Sequence, residues 1–70
     1  MKTRCPRCNQ GWVTRSCVKA TGQNVSVCEE CEALWPEKVA VTFETFVDMS
    51  TYLMAQGLPG EWTDLEDVKD

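Results

Sequence analysis

Two cysteine pairs of the same spacing, Cys5-Pro6-Arg7-Cys8 and Cys28-Glu29-Glu30-Cys31, are separated by nineteen residues in a chain of seventy. A C-x2-C turn lets two sulfurs converge on one ion about 2.3 Å away, and two such turns joined by a hairpin complete a closed tetrahedron. The expected cofactor is therefore one Zn2+ ion held by Cys5, Cys8, Cys28 and Cys31. Protein fills all four positions, leaving none for water or substrate, so the ion is expected to be structural rather than catalytic.

Disulfide bonding is the competing use of paired cysteines. The start, Met1-Lys2-Thr3-Arg4, runs into the first pair with no apolar stretch after it, so no secretory signal is read there. The expected location is the reducing cytoplasm, where such pairs more often hold metal than bridge. Cys17 lies alone between the pairs and is read as a small apolar filler on a strand.

Seventy residues make one domain, and one this small buries too little apolar surface to offset its conformational entropy comfortably. A metal staple fits that need. Structural zinc binds with apparent free energies of about 10–16 kcal/mol near neutral pH, against roughly 5–15 kcal/mol of net stability for whole domains. Metal loss is therefore expected to unfold the cysteine-bearing half.

Residues 12–20 read as a strand, Thr21-Gly22-Gln23-Asn24 as a turn, and Val25-Ser26-Val27 as the returning strand, a hairpin that brings the second pair back to the first. Asn9, just after the first pair, suits a position of positive φ. The second pair lacks an internal proline and is followed by Glu32. A short helical turn is expected there, with Glu29 and Glu30 at its positive end and Pro36 as its stop. Trp35 reads as a plug over the metal or hairpin.

Over residues 5–35 the chain resembles the zinc ribbons, two knuckles joined by a hairpin. The resemblance implies the fold element and says little of activity, because zinc ribbons serve many functions. Rubredoxin is similar by knuckle and carries iron in such a cage. Its knuckles typically hold proline and glycine, which the second pair here lacks, and the spacing alone does not choose between the two metals.

The run 39–43 alternates as a third strand. A helix is expected after it, capped by Thr45 with Asp48 three residues on, striped by Phe46, Met49 and Leu53, and ended by Gly57 and Pro59. Tyr52 and Met54 fall on another face and read as exposed contact residues. A second short capped segment follows, with Trp62, Leu65 and Val68 three apart. The whole is read as a small α+β metal-stabilised domain: a zinc ribbon over 1–38, a strand and helix over 39–60, and an acidic C-terminal segment over 61–70.

Charge is lopsided along the chain. Residues 1–40 hold six basic against four acidic side chains, 41–60 add two acidic ones, and 61–70 hold five acidic against Lys69, for formal charges of +2, −2 and −4. Four thiolates around a divalent ion carry a further −2, taking the formal −4 to about −6. A field of that sign opposes nucleic acid, whose binding draws most of its affinity from cations that neutralise phosphates. Catalysis has little to stand on. There is no histidine, the commonest general base near neutral pH, and neither a phosphate-cradling glycine loop nor an activated serine constellation is present.

The expected function is a non-catalytic protein-binding module. Its concrete form is an acidic inhibitor, similar in size and charge to bacterial immunity and antitoxin proteins, that docks on a basic partner such as a nuclease toxin. Tyr52, Trp62, Glu61, Asp64, Glu66 and Asp67 are the expected contact residues. The alternative is a nucleic-acid-associated ribbon, a small transcription or translation accessory factor. It would use Arg7, Trp12, Arg15 and Lys19, flanked by Lys2 and Arg4, as a local basic face.

Overall fold

The computed structural model describes residues 3–68. Its strands are β1 (Thr3–Arg4), β2 (Trp12–Val18), β3 (Asn24–Cys28), β4 (Ala33–Pro36), β5 (Val47–Asp48) and β6 (Leu65–Asp67). A six-residue helix, α1 (Met49–Met54), follows β5, and a 3₁₀ turn (Trp62–Asp64) leads into β6. The strands form one antiparallel sheet in the order β1-β2-β3-β4-β5, with β6 joined to β2.

The hairpin forms where the alternation places it. Val13 lies opposite Cys28, Thr14 opposite Val27 and Ser16 opposite Val25, and Gly22 at φ +75 turns the chain. That register gives the sheet two different faces, because successive side chains point to opposite sides. One face carries Val18, Val25, Val27 and Leu34, which pack with Met49 and Leu53 of α1 and Leu65 of β6 as the main core. On the other, Val13, Cys28, Ala33 and Trp35 cluster with Cys5. The sheet thus separates an aliphatic core from a second core built on sulfur and indole.

The third strand is not where alternation put it. The run 39–43 is irregular, and the strand beside β3 is β4, Ala33–Pro36, earlier in the chain. Ala33, Leu34 and Trp35 are all fully buried, so this strand reads as a continuous apolar run rather than an alternating one. No helical turn follows the second cysteine pair. Residues 29–31 form the turn of the knuckle itself, and Pro36 ends a strand, opposite Val25.

The helix also starts later than expected. Asp48 caps it, its Oδ2 accepting from the Thr51 amide at 3.1 Å. Thr45 is spent elsewhere, its hydroxyl donating to the Ala40 carbonyl at 2.6 Å and accepting from the Thr42 amide. Phe46 lies outside the helix and packs against the sulfur-side cluster, leaving Met49 and Leu53 as the buried stripe. Past α1, Gly57 takes φ +82 and the Leu58 amide returns to the Leu53 carbonyl, a glycine-ended helix terminus.

Of the acidic segment read over 61–70, residues 61–68 are among those described. Leu65, Glu66 and Asp67 stand opposite Val18, Cys17 and Ser16, so the expected short helical segment is a 3₁₀ turn running into an edge strand. β1 and β6 share one edge of β2, β1 facing its start and β6 its end. Among the described residues no helix is long and apolar enough to cross a membrane.

Candidate metal centre

Both knuckles have the same backbone construction despite their different sequences. In the first, the Arg7 amide donates to Cys5 Sγ at 3.4 Å and the Asn9 amide to the Cys5 carbonyl at 2.9 Å. In the second, the Glu30 amide donates to Cys28 Sγ at 3.4 Å and the Glu32 amide to the Cys28 carbonyl at 3.2 Å. Asn9 at φ 58 matches Glu32 at φ 62. Glu32 thus takes the left-handed conformation that glycine or asparagine adopts more readily, which turns the chain straight into β4.

These two turns bring the four sulfurs within 4.8 Å of one another. Cys5 Sγ lies 3.6 Å from Cys31 Sγ and Cys8 Sγ lies 3.7 Å from Cys28 Sγ. The edge of a tetrahedron with 2.3 Å metal–sulfur bonds is about 3.8 Å, so sulfurs at these separations fit around one ion. A disulfide would hold its two sulfurs at about 2.05 Å, and all five cysteines are free. The donor set is soft and closed, and it is compatible with a structural metal ion. Cys17 stands apart, half-buried on β2, its thiol donating to the Val18 carbonyl.

The surroundings are asymmetric. Cys5 and Cys28 are fully buried, while Cys8 and Cys31 are partly open. Backbone N–H groups of Gln10, then Gly11, bring Cys8 down to about 6, so it is a thiolate at neutral pH. Burial pushes Cys28 up to about 12 and also raises Cys31, so both hold protons until a metal displaces them. An ion entering here meets one ready thiolate and at least two thiols that must release protons.

Other residues close the cage. Trp35 is fully buried in the sulfur-side cluster, as a plug should be, and its Nε1 donates to the Thr42 carbonyl at 2.9 Å. That bond ties down the 39–46 segment, so the run read as a strand lies over the sulfur side, with Val41 and Phe46 packed on the cluster. Arg7 joins the two knuckles, donating to the Cys31 carbonyl at 3.1 Å while its guanidinium lies 4.6 Å over the Phe46 ring. Gly11 went unnoticed in the sequence. A Cβ there would stand 2.8 Å from Cys28 Sγ and 2.8 Å from Glu30 Cβ, so only glycine lets the knuckles approach this closely. Its place three residues after Cys8 was the available signal.

The other expected site residues are dispersed. Trp12 lies on the aliphatic-core face of the sheet beneath Arg4, whose guanidinium is 5.1 Å from its ring. Arg15 projects from the opposite face, Lys19 lies past the end of β2, and Arg7 sits on the first knuckle, so the four do not form one patch. Lys2 lies outside the described residues. Tyr52 is half-buried against the main core and donates to Gln23 Oε1 at 2.8 Å, which corrects its reading as an exposed residue; Met54 is exposed. Asp64 is used internally, its Oδ2 accepting from the Gly60 and Glu61 amides at 2.9 Å. Glu61, Glu66 and Asp67 are exposed, and Trp62 is 40% exposed while its Nε1 donates to Glu32 Oε2 at 2.9 Å. No protein-family model, curated protein or solved structure matches this chain.

Proposed function

We propose that the chain is a zinc ribbon whose Cys5, Cys8, Cys28 and Cys31 hold one structural Zn2+, and that it acts without catalysis as an acidic docking module for a basic protein. The S···S separations of 3.6 and 3.7 Å support the tetrahedral ion, and an all-thiolate set favours zinc over harder cations. Zinc in this cage supplies folding free energy and no reaction chemistry.

The observation that carries the docking reading is the ordered acidic edge around Trp62. Glu66 and Asp67 are held in strand β6, Glu61 precedes the turn, and the half-exposed Trp62 indole, which shares a cavity with Asp67, is pinned to Glu32. An aromatic anchor fixed before binding loses little entropy on association, and the carboxylates around it speed encounter with a cationic surface. An inhibitor that covers the basic cleft of a nuclease is the concrete form, acting in the cytoplasm. The nucleic-acid alternative is weakened because the four basic-face residues lie on different sides of the molecule and the Arg4 and Arg7 guanidiniums are stacked on the chain's own Trp12 and Phe46.

The test is affinity capture from the source cell at moderate salt, using zinc-loaded full-length protein. The reading expects a basic protein on the wild type that is lost from a Glu61, Glu66 and Asp67 charge-reversal variant. Capture of nucleic acid alone, sensitive to reversal at Arg7, Arg15 and Lys19, contradicts it.

A further inference from the structure

α1 covers only part of its face of the sheet. Toward the knuckles that face carries a cavity of about 380 Å³ lined by Thr14, Ser16, Glu29, Trp62, Leu65 and Asp67. The register explains why these residues meet. Thr14 and Ser16 project from β2 on the same side, and Asp67 stands directly opposite Ser16. The Glu29 amide bonds to the Trp12 carbonyl, which places Glu29 at the near end. Trp62 forms a wall, held by its bond to Glu32 of the second knuckle.

Ser16, 3% exposed, is the buried polar residue among the described positions, and it lines the cavity beside Thr14. The charged groups of the lining are of one sign: two carboxylates, Glu29 and Asp67, with no cationic side chain among them. An indole face, two carboxylates and hydroxyl acceptors are the groups that receive an organic cation. The volume lies within the range of about 300–1,000 Å³ usual for ligand sites.

We infer that this cavity receives a lysine or arginine side chain of the basic protein partner, its cation against the Trp62 ring and paired with Glu29 and Asp67, its stem over Leu65. The inference rests on the docking reading and says where the central contact falls. It also gives the second knuckle a role beyond metal binding: Glu32, held in the turn by the ribbon's geometry, positions the indole wall.

The test uses isotope-labelled, zinc-loaded full-length chain titrated with N-acetyl-arginine methylamide and N-acetyl-lysine methylamide, followed by NMR. At least one of the two should shift the Trp62 indole N–H and the Ser16 and Asp67 amides saturably, with Kd of about 1 mM. Glu29→Gln and Asp67→Asn should each weaken binding about fivefold or more. Glu44→Gln, the same charge change on the segment over the sulfur side, should leave it unaltered. Unchanged zinc content shows that each variant is folded. Absence of a saturable shift, equal weakening by Glu44→Gln, or the same shifts with uncharged N-acetylglycine methylamide would overturn the assignment. Partner capture separates the two levels. A basic protein retained by the Glu29→Gln/Asp67→Asn double variant removes the cavity and leaves the docking reading standing. Probe binding with no captured protein supports the cavity and removes the docking reading.

Discussion

An alanine at position 11 carries its Cβ into the sulfur cage. That atom would stand 2.6 Å from Glu30 Cγ and 2.8 Å from both Glu30 Cβ and Cys28 Sγ, where ordinary contact begins near 3.4 Å. The Glu30 chain end can swing away. Cys28 Sγ cannot, because it is fully buried with the Glu30 amide bonded to it. Relief requires a shift of about 0.6 Å between the knuckles, three times the roughly 0.2 Å within which metal–ligand distances are held. Disturbing a metal's surroundings on this scale typically lowers affinity 10–100-fold, or about 1.4–2.7 kcal/mol. Competition for zinc against a chromophoric chelator measures this directly. Gly57→Ala is the matched control, since at φ +82 an alanine strains the backbone with nothing within 4 Å to strike. Gly11→Ala should lose zinc affinity while Gly57→Ala loses only stability. Equal zinc affinity for Gly11→Ala and wild type would refute the close-approach argument.

Leu53 is fully buried in the aliphatic core, so Leu53→Ala should destabilise the zinc-loaded protein by about 2–5 kcal/mol in thermal or urea unfolding, with zinc stoichiometry kept. Zinc uptake at pH 7 should release at least two protons, those of Cys28 and Cys31, and calorimetry in buffers of different ionisation enthalpy counts them. The sign follows from the directions of the shifts: affinity falls as pH drops, and more steeply once pH passes below about 6, where Cys8 also takes up a proton. Glu32→Gly should relieve the positive-φ strain and free Trp62 together, so zinc affinity holds or rises while the Trp62 indole N–H loses protection in hydrogen exchange. Retained protection would show that the Glu32 bond does not fix the indole.

The clustering of the Cys5, Cys8, Cys28 and Cys31 sulfurs was legible in the sequence because C-x2-C spacing is a local geometric requirement, satisfied before any tertiary contact forms. The hairpin was legible for a similar reason: alternation and the Gly22 turn act within a dozen residues. The third strand was not, because its placement depends on Glu32 adopting φ 62, a conformation its residue type does not advertise. Once the chain turns there, the apolar run at Ala33 fills the space beside β3, and β5 takes the outer edge of β4. The alternating run 39–43 is left as the cover over the sulfur side. The cap at Asp48 rather than Thr45 has the same origin, since the 42–45 turn claims the threonine hydroxyl first. The cavity beside Trp62 was illegible because it joins residues up to 53 positions apart in sequence, Thr14 to Asp67.

The account depends on one ion organising both knuckles. Native mass spectrometry of the freshly purified chain, followed by replacement with Co2+ and absorbance spectroscopy, addresses this most directly. The prediction is one zinc per chain, thiolate-to-cobalt charge-transfer bands with tetrahedral ligand-field transitions, and loss of the ordered fold on chelation. A chain that carries no metal and keeps its folded NMR spectrum under strong chelator would contradict it.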